Sequence, residues 1–186
     1  GILFIFFSLL YAPSVFSMST PDSLLSQLSH TIENKNTYIQ QKTDRIEKLK
    51  RKLSQDANTL EEQFKVYNKL YLEYRSFKFD SAFACALKLQ EIADKLNDPT
   101  KITYAQLKVS FIMLSSGMFK ETLDSLDAIN IANKPDNLKV DYYALKARAY
   151  YDLAAYNMDN YFAGRYIKKG NMLMDSAIAL TDRNSL

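Results

Sequence analysis

The chain has 186 residues, 47% of them hydrophobic and 24% charged, with a net charge of +3. That length fits one ordinary domain or a short repeat array behind a leader, and the balance is that of a folded chain, so disorder is not the default. The small net charge gives no argument for direct nucleic-acid binding, while a single Cys and a single His exclude an internal disulfide, a multi-cysteine metal site and the paired histidines of zinc hydrolases.

Residues Ile2 to Phe16 form a short, uncharged, Phe-rich run that ends in small polar residues. This is the pattern of a signal-peptide core, with Val15-Phe16-Ser17 as the cleavage region, so residues 1–17 are read as a leader. A membrane anchor needs about 18–20 apolar residues, and Pro13 interrupts the run before that. The chain opens on Gly1 without a basic start, which is expected of a leader truncated at its beginning. Export to the periplasm follows as an expectation.

Thr20-Pro21-Asp22 is a helix start: Thr20 caps, Pro21 suits the first turn and Asp22 favours the positive end of the helix dipole. Behind it, over 20–56, Leu25, Ile32, Ile39, Ile46, Leu53 and Leu60 recur every heptad. Such a stripe packs along a neighbouring helix or forms a coiled-coil seam, and the second option would make a homodimer. The polar Asn34-Lys35-Asn36 stretch is a point where one leading helix becomes a helix pair. Lys48, Lys50, Arg51 and Lys52 cluster near its end, following Lys42 and Arg45. With no aromatic interleaved among them, they read as the solvated face of an amphipathic helix.

Residues 58–182 hold six helical patterns, each with apolar residues stepping by three and four. The six are carried by Leu60 to Tyr74, Ala82 to Leu96, Ile102 to Ser116, Leu123 to Ile129, Leu138 to Leu153 and Ile167 to Ile178. Asp98-Pro99 and Pro135-Asp136 open the third and fifth. Four Gly and four Pro in the whole chain suit long helices joined by short turns. The joint Ser115-Ser116-Gly117-Met118-Phe119 combines a turn glycine with a following aromatic, and Phe79 and Tyr156 mark the other two joints. The aromatic is expected to wedge between the helices. The joints recur roughly every 40 residues, in the range of helix-hairpin repeats. The expected fold is therefore all-α, a solenoid of about three helix pairs resembling tetratricopeptide (TPR) repeats, preceded by a long amphipathic helix. The third pair resembles the TPR pattern best, with Tyr143, Ala147 and Tyr150 at its large, small and aromatic positions. The second has Ser110 at the small site and Thr122 in place of the usual Ala.

The chain as a whole resembles the N-terminal half of a family of Bacteroidetes transcriptional regulators. The resemblance is carried by Asp22-Ser23-Leu24-Leu25, Thr31-Ile32-Glu33-Asn34-Lys35, Gln40 to Lys50, Leu114 to Glu121 and Tyr150-Tyr151-Asp152-Leu153-Ala154. It implies a periplasmic TPR-like region followed, beyond this chain, by a membrane-spanning helix, a coiled coil and a cytoplasmic DNA-binding module. These segments are structural, so the resemblance transfers no site residues.

The function expected is a periplasmic sensor or interaction domain of such a regulator. A protein, peptide or small ligand would bind the groove formed by the first helix of each pair. Membrane contact would come only through the downstream helix. Side chains placed to face that groove are Tyr71, Arg75, Lys108, Phe111, Arg148 and Tyr151. A loop from Asn157 to Gly164 presents Tyr161 and Phe162 as further contacts. The alternatives are a secreted TPR-like scaffold and an outer-membrane glycan-capture protein, the latter opposed by the lack of a lipid-attachment Cys and of any Trp to stack on sugars. No catalytic, cofactor or metal site is expected: Cys85 sits between two alanines, His30 is read as exposed, and no carboxylate pair lies in an apolar stretch. An apolar face is expected near Met172, Met174 and Ile178, where a further repeat would stack.

Overall fold

The computed structural model describes residues 21–157, 159 and 161–183. The expected leader and the Thr20 cap lie outside the described residues. Eight helices run in order: α1 Pro21–Glu33, α2 Lys35–Gln55, α3 Leu60–Tyr74, α4 Phe79–Leu96, α5 Pro99–Ser115, α6 Phe119–Asp127, α7 Asp136–Asn157 and α8 Ala163–Arg183. The described residues are all-α.

The chain divides into two units, one to Thr43 and one from Asp44, and α2 crosses the division. In the first, the leading helix is interrupted at Asn34. The Asn34 side-chain amide donates to the His30 carbonyl at 2.8 Å, closing α1, while Tyr38 N–H donates to the Asn34 carbonyl to open α2. The short polar side chain competes for the helix's own backbone groups and punctuates it there. Leu25, Ile32 and Ile39 are exposed. The heptad stripe is buried only further on, at Ile46, with Leu49 and Leu53 half-buried behind it.

The second unit is three helix pairs, α3/α4, α5/α6 and α7/α8. Local chemistry fixes the starts of the first two pairs. Thr59 and Glu62 form a reciprocal capping box: the Thr59 hydroxyl accepts from Glu62 N–H at 3.2 Å and the Glu62 carboxylate from Thr59 N–H at 3.0 Å. Asp98 accepts from the N–H groups of Thr100 and Lys101 at 2.9 and 3.0 Å, with Pro99 in the first turn of α5. Gly117 turns α5 into α6 at φ +76°, where a side chain would be strained although nothing crowds the position. Asn97 ends α4 in the same left-handed region.

Small residues set the spacing inside the pairs. Ala82, Ala86, Ala93, Ala105, Ala147 and Ala149 are fully buried. Ser110 and Thr122, the departures from the repeat pattern, are buried too, and each hydroxyl is satisfied: Ser110 with Ser125 Oγ at 3.1 Å, Thr122 by donating to the Met118 carbonyl at 2.7 Å. A buried hydroxyl so paired loses little relative to Ala.

The joint aromatics differ from the expectation of a wedge. Phe119 is half-buried, but Phe79 is 45% and Tyr156 75% exposed. Phe79 instead stacks on Phe83 at 6.0 Å, one helical turn along its own helix, and Tyr156 leans on Phe119 at 5.5 Å. The buried residues nearest in sequence to these two rings are alanines, Ala82 and Ala154.

Two core clusters result. One joins α2, α3, α4 and the inner face of α5; the other joins α5, α6 and α7. Tyr104 and Phe111, both on α5, pack against both clusters. On α8, Met172 and Ile178 are exposed and Met174 is half-buried.

Candidate functional site

The first helices of the three pairs line one cleft of about 300 Å³. Helical spacing explains which residues reach it. On α3, Tyr71 and Arg75 are one turn apart; on α5, Leu107, Lys108 and Phe111 share a face; on α7, Asp141, Ala144, Leu145 and Arg148 do the same. Five of the groove residues read from the sequence therefore meet in one place: Tyr71, Arg75, Lys108, Phe111 and Arg148.

Tyr71 is the floor, fully buried, with its hydroxyl donating to the Lys108 carbonyl at 3.5 Å. Burial pushes its phenol well above the ordinary tyrosine range, so it stays a neutral donor. Lys108 Nζ lies 4.4 Å from the Tyr104 ring centre and 5.6 Å from that of Tyr71, and Tyr104 is held by donating to Asn68 Oδ1 at 2.8 Å. The guanidinium carbons of Arg75 and Arg148 lie 5.8 and 5.3 Å from the centre of the Phe111 ring. Arg148 also donates through Nε to Asp152 at 3.3 Å. Arg75 caps the C-terminus of α3, a favourable place for a cation. The result is an aromatic and aliphatic floor with three cations around it and one carboxylate, Asp141, in the wall.

The other sequence-derived candidates sit elsewhere. Tyr151 packs against α8: its hydroxyl donates to Asn171 Oδ1 at 2.9 Å, and its ring fills the notch left by Gly170. Tyr161 and Phe162 lie in the turn just before α8, exposed, in a T-shaped pair with centroids 4.9 Å apart. Asp159 accepts from both of their N–H groups, and Arg165 covers the Tyr161 ring. Phe162, Tyr166 and Tyr150 continue as a ladder of rings at 6.3 and 6.2 Å.

Sequence reasoning missed Leu107, which adjoins Lys108 on α5, and three residues of α7, Asp141, Ala144 and Leu145. The α7 residues are one and two turns before Arg148, so the register that gives Arg148 also gives them. The basic cluster noted on α2 lines a second cleft with α3, about 740 Å³, formed by Arg45, Lys48, Arg51 and Lys52 with Lys69 and Leu72. Its cations are exposed, and Arg45 is tied to Glu73 by two hydrogen bonds of 2.9 and 3.2 Å.

Cys85 is buried, and burial pushes its thiol up to about 11. His30 is exposed beside Asn34. Among the described residues no group of three or more His, Cys, Asp or Glu could hold a metal ion, and no helix is long and apolar enough to cross a membrane.

The family model for the SusR N-terminal TPR domain matches residues 32–186. The chain belongs to that family. The match takes in α2 to α8 and all three helix pairs, so the joints at Phe79, Gly117-Phe119 and Tyr156 are those of a SusR-type TPR domain, as the resemblance to Bacteroidetes regulators implied. Helical-repeat domains of this kind serve interaction and are typically non-catalytic. No curated protein and no solved structure matches the chain.

Proposed function

We propose that this chain is the periplasmic sensor domain of a membrane-spanning transcriptional regulator, and that the groove of α3, α5 and α7 is where it receives what it senses. The role is recognition, not catalysis. The observation that carries the reading is the meeting of Arg75, Lys108 and Arg148, from three separate helices, in one cleft of about 300 Å³, the two arginines over the Phe111 ring and the lysine over Tyr104 and Tyr71. Binding residues on rigid elements at the concave side of a stack are the usual use of such solenoids. A bound molecule would change the spacing of the first helices and pass that change towards a membrane helix downstream. The shift it can cause is limited by its difference in affinity for the two spacings.

Two measurements test this. Alkaline phosphatase fused after Arg183 in the full-length gene product should be active, since it folds only after export; an inactive fusion removes the periplasmic reading. Filling the groove with Ala144→Phe should abolish induction of a transcriptional reporter while the purified domain keeps its helical circular dichroism. Arg148→Glu, an exposed change that leaves packing intact, should do the same. Normal induction in both variants would refute a sensing role for the groove.

A further inference from the structure

Resting on the reading of the groove as the recognition surface, we propose that its occupant is a small organic anion: a carboxylate on an apolar or ring-shaped body.

Charge pairing gives the first argument. Elsewhere in the stack some lysines find carboxylates, as Lys88 and Lys95 share Glu91, Lys101 holds Asp98 and Glu61, and Lys120 holds Asp124, while Lys78 and Lys169 lie singly over rings. In the groove, Arg75 and Lys108 make no ion pair among the described residues and lie instead over rings. Arg148 has one partner, Asp152, through Nε. Asp141 lines the same cleft without an ion pair to any of the three. With Asp152 counted as the partner of Arg148, three cations meet two carboxylates, a surplus of one positive charge that an incoming carboxylate would neutralise.

Geometry gives the second. A guanidinium presents its N–H donors in a planar fork that matches a carboxylate. Two such groups flank Phe111, with the half-buried ammonium of Lys108 nearby. Partial removal from water strengthens each of these attractions.

Size and lining give the third. A volume of about 300 Å³ lies at the lower end of small-molecule pockets. It is too small for a helical segment, whose diameter is about 10–12 Å. Leu107, Leu145 and the ring of Phe111 would cover an apolar body, so a bare inorganic ion would leave most of the lining unused.

The test uses the isolated chain with 15N-labelled arginine and a set of paired probes. These are 3-phenylpropionate with 3-phenylpropanamide, and cyclohexanecarboxylate with its carboxamide, alongside inorganic phosphate and an acidic peptide. The expected result is that a carboxylate shifts the Arg75 and Arg148 Nε resonances and binds about tenfold or more tightly than its amide. Added salt should weaken it. Arg75→Gln and Lys108→Gln should each remove most of that preference while the fold, followed by circular dichroism, is unchanged. Amides equal to carboxylates would overturn the anion inference and leave the groove as a recognition site. Phosphate equal to the carboxylates would overturn the need for an apolar body. Binding of the acidic peptide alone would replace the small ligand by a protein partner. No shift of either arginine by any carboxylate would also overturn it, and the reporter response of Ala144→Phe separately decides whether the groove senses at all.

Discussion

Gly170, in the middle of α8, is the position where a single methyl should do most. A Cβ built there would lie 2.4 Å from Tyr151 Cε1, 2.8 Å from Cδ1 and 2.9 Å from Cζ. Carbon pairs settle near 3.5–4.0 Å, so the ring must retreat by about 1 Å. It is not a loose chain end: the Tyr151 hydroxyl is held by Asn171, so retreat breaks that bond or moves α7 from α8. Overpacking of this kind costs about 1–3 kcal/mol, against a gain of about 1 kcal/mol from replacing Gly in a helix interior. Gly170→Ala should therefore be neutral to destabilising by about 2 kcal/mol, a fall in melting temperature of up to about 8 °C for a chain of this size. The decisive version is a double-mutant cycle. In a Tyr151→Ala background the obstacle is gone, and the same Gly170→Ala change should stabilise by about 1 kcal/mol. Urea unfolding of the four proteins measures both values. Equal stabilisation in the two backgrounds would show that the ring is not what the glycine accommodates.

Gly117→Ala should cost about 1–2 kcal/mol from left-handed backbone alone, since nothing lies within 4 Å of the added carbon; the urea midpoint should fall with the slope unchanged, and Gly117→Asn should cost less. Asp98→Ala should cost about 1 kcal/mol through loss of the α5 cap. The Asp98 carboxyl is held low chiefly by its hydrogen bond from Lys101, so that stability is present above the unfolded value near 3.9 and is lost as pH falls through the folded value. Wild type and variant should therefore converge in acid; a gap that does not narrow as pH is lowered would contradict this. Cys85 is raised by burial from 9.0 to about 11, so its contribution is present below pH 9 and lost as pH rises towards 11. At pH 8, iodoacetamide labelling should follow the opening of the fold with added urea, and fast labelling without denaturant would refute burial of the thiol.

How much of this was legible beforehand follows from what each signal measures. Apolar steps of three and four residues report which face of a helix is covered, and they placed the three pairs and the cleft face of α3, α5 and α7. Arg75, Lys108 and Arg148 could be read because a charged residue one turn from a core residue has to lie on the groove edge. Tyr151 shares that register, but Gly170 opens a notch on α8 that draws the ring the other way, and the periodicity of α7 carries no information about α8. The joint aromatics were misjudged for a similar reason: whether Phe79 or Tyr156 can enter the joint depends on how closely the facing helices approach. The heptad stripe was visible from Leu25 onward, yet burial begins at Ile46, because a repeat names a face and not the thing that covers it.

Phe111 has a mechanical consequence. In a stack of hairpins each unit normally feels only its neighbours, so a strain applied at one end decays along the array. Here a ring on the middle pair belongs to both core clusters and carries a cation from the first pair and another from the third. Pulling α3 away from α5 alters the same ring environment that α7 depends on. Tyr104 packs against both clusters as well, so the three pairs are geared through α5, and a load on either end should turn the whole stack as one lever.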